Sequence, residues 1–182
     1  LVDCHAKFNL NESIEAEKML FEKGVEWFEE PMNPKISIDE LKKIKTVIKG
    51  SLVGGEEFYG KNKFLELLNT KVLDILMPDI KYCGGIEEAI KIGIELSKIS
   101  NQSFSIHCPS GPISLLGSAH VTSALNSSLP LEHAVYEISN RYLYISPPEK
   151  IINGKFCFPE GTGLGAKLNL NVPHKLISSI KF

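Results

Sequence analysis

The sequence has no CxxC pair, and its four cysteines, Cys4, Cys83, Cys108 and Cys157, are widely scattered. They form no small disulfide framework, which predicts reduced thiols and a cytoplasmic protein. There is no basic block, and the formal net charge is -2. Phosphate recognition needs clustered Lys and Arg, so nucleic acid is not an expected partner. No apolar run approaches the roughly 20 residues of a membrane span. No charged-then-apolar secretory leader opens the chain. No GxGxxG follows the early strands, which weakens the runner-up architecture, a doubly wound sheet.

What is present is one soluble globular pattern of 182 residues, 43% of them hydrophobic and 23% charged. Short apolar strands alternate with amphipathic helices, the signature of parallel βα units. Strands are expected at Leu1–Asp3, Val25–Phe28, Leu52–Val53, Val72–Met77, Phe104–Ile106 and Leu129–Leu131. Pro130 makes the last the weakest. Ser13 is a plausible N-cap for the first helix, and Ser37 with Glu40 makes a capping box for the second. Gly84-Gly85 opens the helix carrying Ile86, Ala89, Ile90 and Ile94, and Pro112 to Leu125 reads as helix. After Ala134 the pattern gives way to Pro- and Gly-rich sequence, with short strands expected near Lys155–Phe158 and Lys167–Leu170. The expected division is residues 1–135 as a β/α unit and 136–182 as a tail packed on it or on a capping domain.

Each strand ends on a polar residue: Asp3, Glu29, Glu56, Asp79, His107 and Glu132. These recur every 23–28 residues. A (β/α)₈ barrel of about 250 residues uses that length per unit, and its active site gathers at the C-terminal strand ends. The expected fold is therefore an α/β TIM-like barrel, present in part. Asp3, Glu29 and Glu56 on consecutive strand ends would converge as hard oxygen ligands, which favours Mg²⁺. One such acid alone would be an ordinary solvent-exposed carboxylate; three at barrel spacing point to a metal. Glu30 competes with Glu29, but alternation sends the two to opposite faces. Asp79 can fix the tautomer of His107 and hold it as a general base. His5, two residues past Asp3, can reach the mouth as a general acid. His120, His133 and His174 are left outside the site.

Val2-Asp3-Cys4-His5, Trp27-Phe28-Glu29-Glu30-Pro31, Gly54-Gly55-Glu56, Met77-Pro78-Asp79, Gly84-Gly85 and His107-Cys108-Pro109 resemble the mandelate racemase subgroup of the enolase superfamily. The Gly161–Gly165 stretch is similar to that family's closing segment. The resemblance implies a (β/α)₈ barrel entered at about its third strand and continued to its eighth. It implies Mg²⁺ on Asp3, Glu29 and Glu56, a general-base dyad of Asp79 and His107, and Glu132 hydrogen-bonded to the enediolate. The Asp-x-His start and the His-Cys-Pro-x-Gly-Pro run resemble galactonate dehydratases. This implies that His5 expels the β-hydroxyl of a sugar acid, giving a 2-keto-3-deoxy acid. A racemase or epimerase on the same scaffold is the alternative, and a non-catalytic fragment is the reading from another class.

Family members carry a capping domain and two strands ahead of the point where this chain starts. The opening at a strand end predicts a fragment that is inactive alone. Two open sheet edges predict a homo-oligomer or another covering polypeptide.

Overall fold

A computed structural model describes residues 1–33, 38–99, 102–125, 129–134 and 140–171. Five βα units follow one another: β1 (Val2–Asp3), α1 (Leu10–Phe21), β2 (Trp27–Glu29), α2 (Ile38–Lys45), β3 (Ser51–Gly54), α3 (Lys61–Thr70), β4 (Ile75–Leu76), α4 (Ile86–Leu96), β5 (Ser103–Phe104) and α5 (Pro112–Ala124). The strands form one sheet in the order β1-β2-β3-β4-β5, and every pairing is parallel. Sequential order with a helix after each strand is the arrangement of a (β/α) barrel wall.

Alternation along the strands divides the side chains into two layers. Phe28, Leu52, Leu76 and Phe104 point to the helices and join the main core with Leu41, Ile44, Phe64 and Ile92. Trp27, Val53, Ile75 and Met77 form a second cluster with Leu129. Glu29 lies on the same face as Trp27, whose indole N–H donates to it at 2.8 Å.

Two local expectations change. The N-cap of α1 is Asn9, not Ser13: Asn9 Oδ1 accepts from Glu12 N at 3.0 Å and Glu12 Oε2 from Asn9 N at 2.8 Å. Asn-x-x-Glu satisfies the capping-box geometry as Ser-x-x-Glu does. Ser13 sits in the first turn, its hydroxyl donating to Asn9 O at 2.7 Å. Leu129–Leu131 is not a strand; Pro130 has no N–H to give a ladder. The segment still runs beside β5, because Ser105 Oγ donates to Pro130 O at 3.0 Å. Ser37, and with it the second capping box, lies outside the described residues. The glycine pair behaves as expected: Gly84 and Gly85 have φ of 116° and 96°, a backbone that side chains disfavour, and α4 starts immediately after.

The tail carries β6 (Ile145–Ser146), β7 (Lys150–Ile152), β8 (Lys155–Cys157) and β9 (Lys167–Leu168). β8 and β9 fall where the sequence placed strands; their antiparallel partners, β7 and β6, were not anticipated. The tail docks on α5 through the rings of His120 and Phe158, 4.8 Å apart. Arg141 fastens its start: Nη1 donates to Ala134 O at 2.7 Å, Nη2 to Glu149 Oε2 at 3.1 Å, and Nε pairs with Glu149. Arg141→Met removes these bonds and leaves the half-buried Glu149 carboxylate with His133 at 3.8 Å; loss of a hydrogen bond to a charged group costs about 1.5–3 kcal/mol. Urea unfolding should show that loss; an unchanged midpoint would contradict it.

Candidate active site

The backbone ladder runs past the strands and fixes the residues at their ends. Cys4 N donates to Glu29 O, Glu30 N to Val53 O, Met77 N to Gly54 O and Ser105 N to Leu76 O, at 2.9–3.0 Å. His107 N donates to Pro78 O at 3.2 Å, which sets His107 beside Asp79. The register makes Asp3 and Glu29 direct partners.

His107 lies at the centre. Its Nδ1 is 3.0 Å from Oδ2 of the fully buried Asp79. Its Nε2 is 3.1 Å from Glu56 Oε2 and 4.0 Å from Glu132 Oε2. Glu132 is held in turn by Cys108 N–H, which donates to its Oε2 at 2.7 Å. With Nδ1–H given to a carboxylate, Nε2 is the nitrogen free for chemistry. Glu29, Glu56 and His107 offer ligand atoms that all lie within 4.8 Å of one another. Asp3 is outside that set. Its carboxylate accepts from His5 N at 3.0 Å and lies 3.0 Å from His5 Nε2. The pairing follows from left-handed backbone at His5 and Ala6, φ 48° and 54°.

Electrostatics at this mouth are unbalanced. Burial pushes Glu29 up to about 7, with Asp3 and Glu132 adding to the rise against the Trp27 hydrogen bond. Burial likewise pushes Glu56 up to about 7, with Glu30, Asp3 and Glu29 adding and His107 opposing. Burial lowers His107, but the Asp79 bond and the charges of Glu56 and Glu132 outweigh it and raise the group. Burial raises Asp79, yet the bonds from His107 and Lys81 leave it below the ordinary carboxylate range. Glu56 Oε2 is buried and makes no hydrogen bond, despite its short approach to His107. Crowded acids with an unbonded oxygen are what a hard divalent cation would relieve, so Glu29 and Glu56 fit a metal, with Asp3 adjoining them.

A pH effect follows. Without cation, folded Glu29 and Glu56 hold protons that the unfolded chain, with values of 4.5, releases earlier. Their contribution to stability is full below that value and is lost as pH rises through about 7. His107, also raised, acts in the same direction. The chelator-treated protein should melt lower at pH 8 than at pH 5.5, and Mg²⁺ should restore the pH 8 value. A melting point that rises over this range in chelator would contradict the assignment.

Glu30 is buried and lies just past β2 in left-handed backbone, φ 35°, so strand alternation does not set its direction; its Oε1 accepts from Gly55 N at 2.9 Å. A cavity of about 200 Å³ separates His5 and Ala6 from Glu30, Asn33, Glu56 and Glu57. His133 approaches Glu149 at 3.8 Å, away from the mouth. His174 lies outside the described residues. Two residues at the mouth were missed. Trp27 holds Glu29, and a period-two reading of Trp27-Phe28-Glu29 would have found it. Lys81 contacts Asp79; an Asp-x-Lys spacing in a loop gives no sequence signal.

The family described as enolase C-terminal domain-like matches residues 1–172. The chain is 29% identical to an arabinonate dehydratase of Saccharolobus solfataricus, over 90% of this chain and 43% of that protein. It is 30% identical to a D-xylonate dehydratase of Haloferax volcanii, over 93% of this chain and 40% of that one. A solved enolase-superfamily member from Salmonella Typhimurium superposes with TM-score 0.84 at 26% identity, over 92% of this chain and 42% of that one. The chain thus spans about two fifths of the length of these relatives.

Proposed function

The chain belongs to the enolase C-terminal domain-like family, and on that premise we propose that it carries the proton-abstracting centre of a Mg²⁺-dependent sugar-acid dehydratase. The carrying observation is His107, with Nδ1 on buried Asp79 and Nε2 directed at Glu56 and Glu132. Glu29 and Glu56 would hold the cation with Asp3 as third carboxylate. Each carboxylate oxygen has a second lone pair, so Asp3 can accept from His5 and still face an ion. Bound there, the cation supplies Lewis-acid stabilisation of charge on the substrate carboxylate.

The chain's own residues do the rest. His107 Nε2 takes the proton from the carbon next to the carboxylate, while Asp79 fixes its tautomer and steadies the imidazolium. Glu132, when it carries a proton, donates a hydrogen bond to the enediolate oxygen on which charge develops. His5, held by Asp3, gives a proton to the hydroxyl leaving the next carbon. Water departs, and the resulting enol becomes a 2-keto-3-deoxy acid. Arabinonate and xylonate, named for the relatives, share with galactonate the proton and hydroxyl this chemistry needs, so the substrate class is an aldonic acid. Residues 1–135 supply these groups. The described part of the tail, residues 140–171, braces them, a role supported by the Arg141 bond to Ala134, two residues beyond Glu132.

The test is a 2-keto-acid assay of the intact protein against aldonic and aldaric acids, with Mg²⁺ and with chelator. Keto acid formed only with metal is the expected result. An epimerised acid without keto acid would identify an isomerase instead, and no change in any acid would contradict the reading.

A further inference from the structure

Asp79 is held from three directions. Its Oδ1 accepts from the backbone N–H of Lys81 at 2.7 Å. Its Oδ2 lies 3.0 Å from His107 Nδ1 and also 3.2 Å from Lys81 Nζ. The ammonium therefore shares one carboxylate oxygen with the imidazole. The loop between β4 and α4 makes this possible: Tyr82 N and Cys83 N bond back to Asp79 O at 3.0 and 2.8 Å, so Lys81 folds over the residue two before it. The ring of Tyr82 adds a second fixed partner, 4.9 Å from Lys81 Nζ.

We infer that Lys81 is a positioning residue for the general base, acting on His107 through Asp79; this rests on the function proposed above. A carboxylate turns easily about its last torsion, which is broad and two-fold. The Lys81 N–H fixes one oxygen, and the ammonium fixes the other, the one that faces His107 Nδ1. The imidazole then presents Nε2 to the mouth in one orientation. Lys81 is the one cationic side chain paired with Asp79 among the described residues, apart from His107 itself. Its side chain is 38% exposed, while that of Asp79 is 0%. Lys81 is thus a partly open residue gripping a closed one, and its loss removes little packing. It also lines a cavity of about 500 Å³ with Ser110, Ser114, Tyr144 and Leu168.

The experiment compares Lys81→Met and Lys81→Arg with the parent in the intact protein. Met keeps the apolar stem and removes the charge; Arg restores a donor. Loss of an outer partner that orients a catalytic group costs about 10–100-fold. Lys81→Met should lower kcat by that factor with KM little changed, and Lys81→Arg should recover most of it. Melting temperature should stay near the parent value in both. Nitrogen-15-edited NMR of the His107 imidazole gives a readout that needs no turnover. The Nδ1–H resonance should exchange slowly in the parent and much faster in Lys81→Met. If the parent forms keto acid and Lys81→Met turns over normally, the inference is wrong. If the parent forms none, the functional reading fails, and the NMR comparison alone decides Lys81: unchanged Nδ1–H exchange in Lys81→Met overturns it.

Discussion

His107→Asn in the intact protein should abolish keto-acid formation and leave the fold in place. Nε2 is the only basic atom that the dyad presents to the mouth, and Asn has no counterpart to it. A positioned general base contributes about 10²–10⁴ in rate, and more where no other group can take the proton. Asn is chosen because its amide can still donate to Asp79 Oδ2, now 3.0 Å from Nδ1. The variant therefore does not leave Asp79 buried and unpaired, which would cost stability independently. Exchange of the substrate's α-proton with deuterated solvent isolates the step, because it does not depend on loss of the hydroxyl. Parent protein should exchange that proton and the variant should not. Near-normal exchange by the variant would move the base elsewhere.

Glu56→Gln should produce two opposite changes in stability. In chelator at pH 8 the variant should melt higher than the parent. It removes a partly buried carboxylate that burial and neighbouring acids have pushed up to about 7, so one unfavourable charge disappears. In Mg²⁺ the order should reverse. A ligand at 100 times its dissociation constant stabilises by about 2.7 kcal/mol. The parent gains that, and the variant, without one of its two central carboxylates, gains little. Thermal melts of both proteins with and without the ion give the four values required. An equal gain from Mg²⁺ in parent and variant would remove Glu56 from the metal site. A variant less stable than the parent in chelator would show that Glu56 serves the fold through His107.

The barrel wall was legible because its signal is carried by spacing. Acids and a histidine recurring at strand ends depend on the length of a βα unit, which the fold fixes. Asp79 with His107 and Glu29 with Glu56 come together because adjacent parallel strands carry them. Asp3 was less legible. Its strand places it next to Glu29, but two residues in left-handed backbone bring His5 onto its carboxylate, and sequence does not report φ. Glu132 reached the site without the expected strand, through a hydrogen bond from Cys108 N. Lys81 was invisible because a loop fold, and no periodic pattern, brings it to Asp79.

The most direct measurement is a crystal structure of the intact protein with Mn²⁺, its position read from anomalous scattering. The expected peak lies between Glu29 and Glu56, with carboxylate oxygens at about 2.0–2.6 Å, Asp3 completing the set, and His107 Nε2 outside the coordination sphere facing open solvent or substrate. Two results would contradict the account: no peak at this mouth, or a peak with His107 Nε2 as a ligand, since a nitrogen committed to the metal cannot take the substrate's proton.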